Sequence, residues 1–246
     1  MKWKRWLSGR RPTKPAAALS FRDVSPAVRE TVSRALPYTM TSPERLCGLV
    51  EATEYVVAND VPGAIVECGV WKGGSMLAAA LTLVRLGASD RELYLFDTYE
   101  GLPEPGERDV SFKGKPARDM WEEQRDGQGL SAWCRAGLDE VRAVMETSGH
   151  PRARIHYVAG MVEDTVPDAA PDPIAILRLD TDWYDSTRHE MEHLYPRLAV
   201  GGVLILDDYG SWEGARQAVD EYLAKQRVPL LLQRLDKAGR IAVKVR

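Results

Sequence analysis

Two apolar runs in this chain stop abruptly at carboxylates. One reads Ile174-Ala-Ile-Leu-Arg-Leu-Asp180-Thr-Asp182 and the other Val203-Leu-Ile-Leu-Asp207-Asp208. Short β-branched or leucine-rich segments of this kind are what strands buried on both faces of a parallel sheet look like. An open sheet of that type gathers its ligands at the carboxyl ends of its strands. If the two strands are neighbours, Asp180, Asp207 and Asp208 converge into an all-oxygen cluster suited to a hard divalent cation such as Mg2+.

The rest of the chain supplies the sheet these strands need. Strands are expected at 64–68, 92–96, 155–159, 174–179 and 203–206, and helices at 25–35, 41–59, 75–86, 138–147, 187–198 and 214–226. Thr41-Ser42-Pro43-Glu44 is a helix start, with a hydroxyl cap, a proline in the first turn and an acid near the positive end of the dipole. Two final runs, 229–235 and 241–245, flank the turn at 236–239 and read as an antiparallel hairpin. Alternating strands and helices imply a doubly wound, mostly parallel α/β sheet, finished here by that hairpin. The stretch 99–132 is too long for a passive connector. Its end-flanking Trp121 and Trp133 favour an ordered lid.

At 246 residues, 44% of them hydrophobic, the chain suits one domain with a sizeable core. Residues 1–18 read as a basic flexible tail, although Trp3, Trp6 and Leu7 could touch a membrane surface or a partner. Residues 19–246 then form a single domain, with a helical cap over 19–60 and the lid over 99–132. A net charge of −3 provides no global basic field and argues against nucleic acid as the main partner. No run approaches transmembrane length and no secretion signal is visible. Cys47, Cys68 and Cys134 are scattered and lack C-x-x-C spacing, which fits reduced thiols in a cytoplasmic protein.

Between the first strand and its helix lies Glu67-Cys-Gly69-Val-Trp-Lys-Gly73-Gly74-Ser75. Its glycines allow a tight turn, and the helix start offers free N–H donors. Asp97, at the end of the next strand, suits a carboxylate that accepts hydrogen bonds from ribose hydroxyls. Glu67, just ahead of the first glycine, would repel a pyrophosphate and welcome an ammonium or sulfonium. That reversal favours S-adenosylmethionine over a dinucleotide. The alternative is a purely structural strand-to-helix turn.

Asp182 lies two residues beyond Asp180, so in extended backbone it projects to the same side. It could take a hydroxyl proton as general base, with the metal lowering that hydroxyl's pKa. Alternatively, Asp182 or Asp185 merely caps the following helix. His189-Glu190-Met-Glu-His193 matches the zinc hydrolase pattern H-E-x-x-H. Its helix links two parallel strands, however, and no third ligand follows His193.

These residues together resemble the macrocin O-methyltransferase (TylF/MycF) family. The resemblance rests on Pro37-Tyr-Thr-Met40, on Glu67 through Gly74, and on Phe96-Asp-Thr-Tyr-Glu-Gly-Leu-Pro103. It rests equally on Leu179-Asp-Thr-Asp-Trp-Tyr-Asp-Ser-Thr187 and Gly201-Gly-Val-Leu-Ile-Leu-Asp-Asp-Tyr-Gly210. It implies a class I, Rossmann-like methyltransferase fold and an S-adenosylmethionine- and Mg2+-dependent O-methyltransferase. The acceptor it implies is a sugar hydroxyl of a natural-product glycoside. Asp180, Asp207 and Asp208 would hold the metal and Asp182 would be the base. Glu67, Gly69, Val70, Trp71, Gly73, Gly74 and Ser75 would bind the cofactor. So would Asp97, Thr98, Tyr99 and Gly101, with Asp180 beside them and Met161 near the adenine. Tyr38, Thr39 and Met40 would close over it, and the lid would select the acceptor. Family members commonly associate, which implies a homo-oligomer. The metal triad also looks like that of catechol-type O-methyltransferases, with Asp208 where those carry Asn, so a catechol or phenol is the alternative acceptor.

Overall fold

The computed structural model describes residues 23–125 and 131–246. The basic tail, with Trp3, Trp6 and Leu7, lies outside the described residues. Two capped helices open the described chain. In α1 (Pro26–Ala35) the Ser25 hydroxyl accepts the Val28 N–H at 3.3 Å. In α2 (Pro43–Ala58) the Ser42 hydroxyl accepts the Arg45 N–H at 3.2 Å, with Glu44 in the first turn. Both helices place proline where the missing N–H costs nothing.

The alternation follows as β1 (Ala64–Cys68), α3 (Gly74–Leu86), β2 (Leu93–Asp97), α4 (Ala117–Glu123) and α5 (Leu138–Glu146). After these come β3 (Ile155–Ala159), the single turn α6 (Val162–Thr165), β4 (Ile174–Leu179) and α7 (Tyr184–His193). The chain ends with β5 (Leu198–Leu206), α8 (Glu213–Lys225), β6 (Gln233–Arg234) and β7 (Arg240–Val243). The sheet order is β3-β2-β1-β4-β5-β7-β6, parallel through β5 and antiparallel beyond it. The order reverses between β1 and β4, which opens a crevice outside their carboxyl ends.

Successive strand residues feed opposite cores, as the pleat requires. Ile65, Leu95, Ile176 and Ile205 pack with Leu49 of α2, Leu77 of α3 and Met145 of α5. Val66, Phe96, Leu177 and Leu206 pack on the other face with Met191 of α7 and Val219 of α8. Among the described residues no helix is long and apolar enough to cross a membrane.

The structure shifts several expected boundaries. Helix α7 starts at Tyr184 rather than Thr187, because Oδ1 of Asp109, far away in sequence, accepts the Tyr184 N–H at 2.8 Å. Strand β5 starts at Leu198 rather than Val203, since Gly201 and Gly202 lie inside the strand at a shift of register with β4. The C-terminal pair is shorter than expected, and β6 covers only Gln233 and Arg234. The stretch 99–132 contains α4 and is tied down by indoles. Trp121 Nε1 donates to the Leu102 carbonyl and Trp183 Nε1 to the Pro103 carbonyl, each at 3.0 Å. Trp133, Trp183 and Trp212 meet edge to face, with centroids 5.2 to 6.0 Å apart.

Candidate active site

Strands β4 and β5 are paired in parallel with Leu179 opposite Leu206, so their carboxylates emerge together. Main-chain bonds fix the exit: the Asp180 N–H donates to Cys68 O at 2.9 Å and the Asp207 N–H to Leu179 O at 3.0 Å. One oxygen each from Asp180, Asp207 and Asp208 lies within 4.8 Å of the others, the one such group of potential metal ligands among the described residues.

Two guanidiniums reach this cluster. Arg178 Nη1 donates to Glu67 Oε1 at 2.5 Å and to Asp180 Oδ2 at 2.7 Å, while its Nη2 donates to Asp207 Oδ1. Arg45 pairs with Asp207 and, at 3.1 Å, with Asp236. The Thr41 hydroxyl donates to Asp207 Oδ1 at 3.0 Å, so Thr41 serves the cluster and Ser42 alone caps α2. The positive charge still falls short. Burial above all, then neighbouring carboxylates, holds Asp180 and Asp208 well above the usual carboxylate range and pushes Asp182 up to about 7. A surplus of crowded carboxylate oxygens is what a hard divalent cation relieves, and this donor set fits one.

Asp182 does not sit in extended backbone. Its φ is 67°, in the left-handed region, so the period-two argument from Asp180 does not apply. Its N–H donates to Asp208 Oδ2 at 3.3 Å, and its Oδ1 accepts from Trp212 Nε1 at 2.7 Å. Neither Asp182 nor Asp185 caps α7, whose N-cap position is Trp183 with no side-chain bond.

An open cavity runs along the ends of the strands. Of the expected residues, Met40, Gly69, Trp71, Asp97, Thr98, Gly101, Met161, Asp180 and Asp182 line it. Tyr38, Thr39, Glu67, Val70, Gly73, Gly74, Ser75, Tyr99, Asp207 and Asp208 are not on its wall. Close packing requires a glycine at two positions of the first loop. A Cβ on Gly69 would stand 1.9 Å from Asp180 O, and one on Gly74 would stand 2.6 Å from the Tyr38 carbonyl carbon. Gly69 thus seats the loop on the end of β4, and Gly74 seats the 38–40 segment on α3.

Two carboxylates differ from their expected settings. Asp97 Oδ2 accepts the Val70 and Trp71 N–H groups at 2.7 and 2.9 Å, and its Oδ1 accepts the Tyr99 N–H at 2.7 Å. Its lone pairs are largely committed to shaping the loop, so a ribose would share them. Glu67 is only 1% exposed and pairs with Arg178 instead of facing the cavity; burial pushes it up to about 7. The negative charge on the wall comes from Asp97, Glu163, Asp180 and Asp182.

The H-E-x-x-H helix makes no zinc site in this arrangement. His189 Nε2 is bonded to Val166 O at 2.9 Å, and Glu190 is buried with its Oε2 accepting from the Thr181 hydroxyl at 3.2 Å. Arg45, Arg178, Cys134, Glu163 and Trp212 were not anticipated in the site. Arg178 carried a signal: a lone charge inside a strand apolar on both faces has to find a buried partner. The other four carried none.

A family model described as macrocin-O-methyltransferase (TylF) matches residues 24–242. The chain is 33% identical to 8-demethyl-8-(2,3-dimethoxy-alpha-L-rhamnosyl)-tetracenomycin-C 4'-O-methyltransferase of Streptomyces olivaceus over 205 residues, 83% of this chain and 75% of that protein. It is 32% identical to demethyldecarbamoylnovobiocin O-methyltransferase of Streptomyces niveus over 202 residues, 82% of this chain and 74% of that one. The solved structure of the O-methyltransferase NovP superposes with a TM-score of 0.73 at 32% identity, covering 85% of this chain and 83% of that one.

Proposed function

The chain belongs to the macrocin-O-methyltransferase (TylF) family, and from that premise we propose that it is an S-adenosylmethionine- and Mg2+-dependent O-methyltransferase acting on a sugar hydroxyl of a natural-product glycoside. One observation carries the proposal. A single cavity is walled by Asp97, Thr98, Gly101, Gly160 and Met161 and also by Asp180 and Asp182, so a nucleoside and an acceptor hydroxyl could share it. The relative of Streptomyces olivaceus, named for 4'-O-methylation of a rhamnosyl compound, supports the choice of acceptor.

When bound, S-adenosylmethionine supplies a methyl group activated by positive sulfur, and Mg2+ held by Asp180, Asp207 and Asp208 supplies Lewis acidity. The protein's own residues do the rest. Asp97 and Glu163 give the cavity an acidic wall that favours a cationic donor over a pyrophosphate. Asp97 holds the Val70 and Trp71 amides inward and fixes the shape of the loop. Met40, from the helical cap, and Trp71, from the first loop, contribute apolar surface to the cavity wall. Asp182 takes the acceptor's hydroxyl proton on its carboxylate. Much of the acceleration then comes from holding the acceptor oxygen in line with the methyl group. The lid gives the wall Leu102 and Pro103, while Trp133 and Trp183 pack against each other away from the wall, which favours a sugar over a planar phenol.

The test uses methyl-labelled S-adenosylmethionine and paired acceptors, a glycoside with free sugar hydroxyls and its aglycone. Label is expected on the sugar, with Mg2+ and not in chelator. Full transfer in chelator would overturn the metal assignment, and transfer to the bare aglycone would select a phenol.

A further inference from the structure

We propose that Trp212 is the positioning residue for Asp182: its indole N–H ties down Oδ1 and so designates Oδ2 as the oxygen that takes the acceptor's proton. This rests on Asp182 being the base. The hydrogen bond is 2.7 Å long, and the indole that makes it is 7% exposed.

Nothing in its own loop orients the Asp182 carboxylate, which meets two side chains from beyond it, the Trp212 indole and the Asp208 carboxyl. The residue lies in a loop with left-handed φ, between the end of β4 and the start of α7, and its own N–H is spent on Asp208 Oδ2. An aspartate carboxylate turns broadly about its last torsion, and the two oxygens are equivalent until something distinguishes them. A donor fixed in space does so. Near-attack geometry requires the accepting oxygen to be held to within a fraction of an ångström.

The donor is fixed from three sides. Trp183 stands 5.2 Å from the Trp212 ring at 74°, and Trp133 stands 6.0 Å away at 61°. The backbone is also held, because the Trp212 N–H donates to Asp208 O at 3.1 Å and Ser111 forms an isolated bridge with Trp212. Turning this indole would require moving two others and a piece of the lid.

Neighbouring indoles show that a buried ring has a plainer option. Trp121 and Trp183 give their N–H groups to the carbonyls of Leu102 and Pro103. A buried indole needs some acceptor, and a carbonyl satisfies it. Trp212 instead spends its donor on a carboxylate on the cavity wall. That choice does nothing for packing that a carbonyl could not do.

The test is a cycle of Trp212→Phe, Asp182→Asn and the double variant, read as kcat, as KM for both substrates and as S-adenosylhomocysteine affinity by calorimetry. Trp212→Phe keeps a packed ring and removes the donor. The expected result is kcat lower by roughly 10- to 100-fold, with both KM values and the calorimetric affinity within about twofold. In the Asp182→Asn background the same change should cost nothing further, because the group it acts through is gone. An equal loss in both backgrounds would reduce Trp212 to packing and overturn the proposal. So would an unchanged kcat in Trp212→Phe while Asp182→Asn is inactive, an outcome that leaves Asp182 as the base. Full activity in Asp182→Asn would remove the base itself. If Trp212→Phe does not fold, β-benzothienylalanine placed at 212 keeps the bicyclic ring and deletes only the N–H. Wild-type kcat in that protein would overturn the proposal.

Discussion

Glu67 and Arg178 are cross-strand partners on β1 and β4, and their side chains meet at 2.5 Å with 1% and 2% exposure. The same guanidinium holds Asp180 and Asp207, so one buried cation links the first loop to two proposed metal ligands. Removing it leaves Glu67 buried without its partner, while Asp207 keeps Arg45 and Thr41. Arg178→Met is expected to destabilise the protein by about 3–5 kcal/mol, read as a shift of the urea unfolding midpoint at pH 7.5. A loss below about 1 kcal/mol would mean that water or relaxation already compensates these acids.

Gly69 is the tightest point between the first loop and β4. Its φ is 83°, and an added Cβ would lie 1.9 Å from Asp180 O, a backbone atom that cannot step aside alone. Gly69→Ala should therefore cost about 3 kcal/mol or more and displace Asp180, so that calorimetric binding of S-adenosylhomocysteine weakens with the fold. A variant as stable as the wild type would show that the loop has room the structure does not display.

Strands 64–68 and 174–179 were legible to the residue, because a run buried on both faces carries no ambiguity of period. The start of α7 was not, since its first N–H is taken by Asp109, about 75 positions earlier, and no local pattern records so distant a partner. The carboxylate triad was likewise legible, because strand ends are sequence features. Its supporting groups were not. Thr41 and Arg45 come from α2 and its lead-in, and Trp212 from a loop, each brought in by tertiary packing. Asp182 shows the limit most clearly: its side was inferred from a strand period that ends three residues before it.

His150 offers a pH test away from the site. Its Nε2 bonds the Arg91 carbonyl at 3.0 Å, while its buried Nδ1 has no hydrogen-bond partner. Burial lowers its pKa from the usual 6.5. The unfolded chain therefore binds the proton first as pH falls, and stability present above pH 6.5 is lost as pH drops through the folded-state value. Urea midpoints should decline from pH 7.5 to pH 5 more steeply in the wild type than in His150→Gln, whose side chain does not titrate. Parallel declines would assign the acid sensitivity elsewhere.

Asp207 is where the metal assignment is most exposed to test. It is a proposed ligand and also the acceptor for Thr41, Arg45 and Arg178, so Asp207→Ala is expected to lower the thermal midpoint as well as to abolish methyl transfer. The two effects separate in a titration with Mg2+. A ligand that binds only the folded state raises stability by about 2.7 kcal/mol at a hundred times its dissociation constant. The wild-type midpoint should rise with Mg2+, and the Asp207→Ala midpoint should stay flat. Arg45→Met, which removes a neighbour of Asp207 and no ligand, should lose stability and keep its response to Mg2+. A wild-type midpoint indifferent to Mg2+, with transfer undiminished in chelator, would leave the cluster as an acidic site with no metal role.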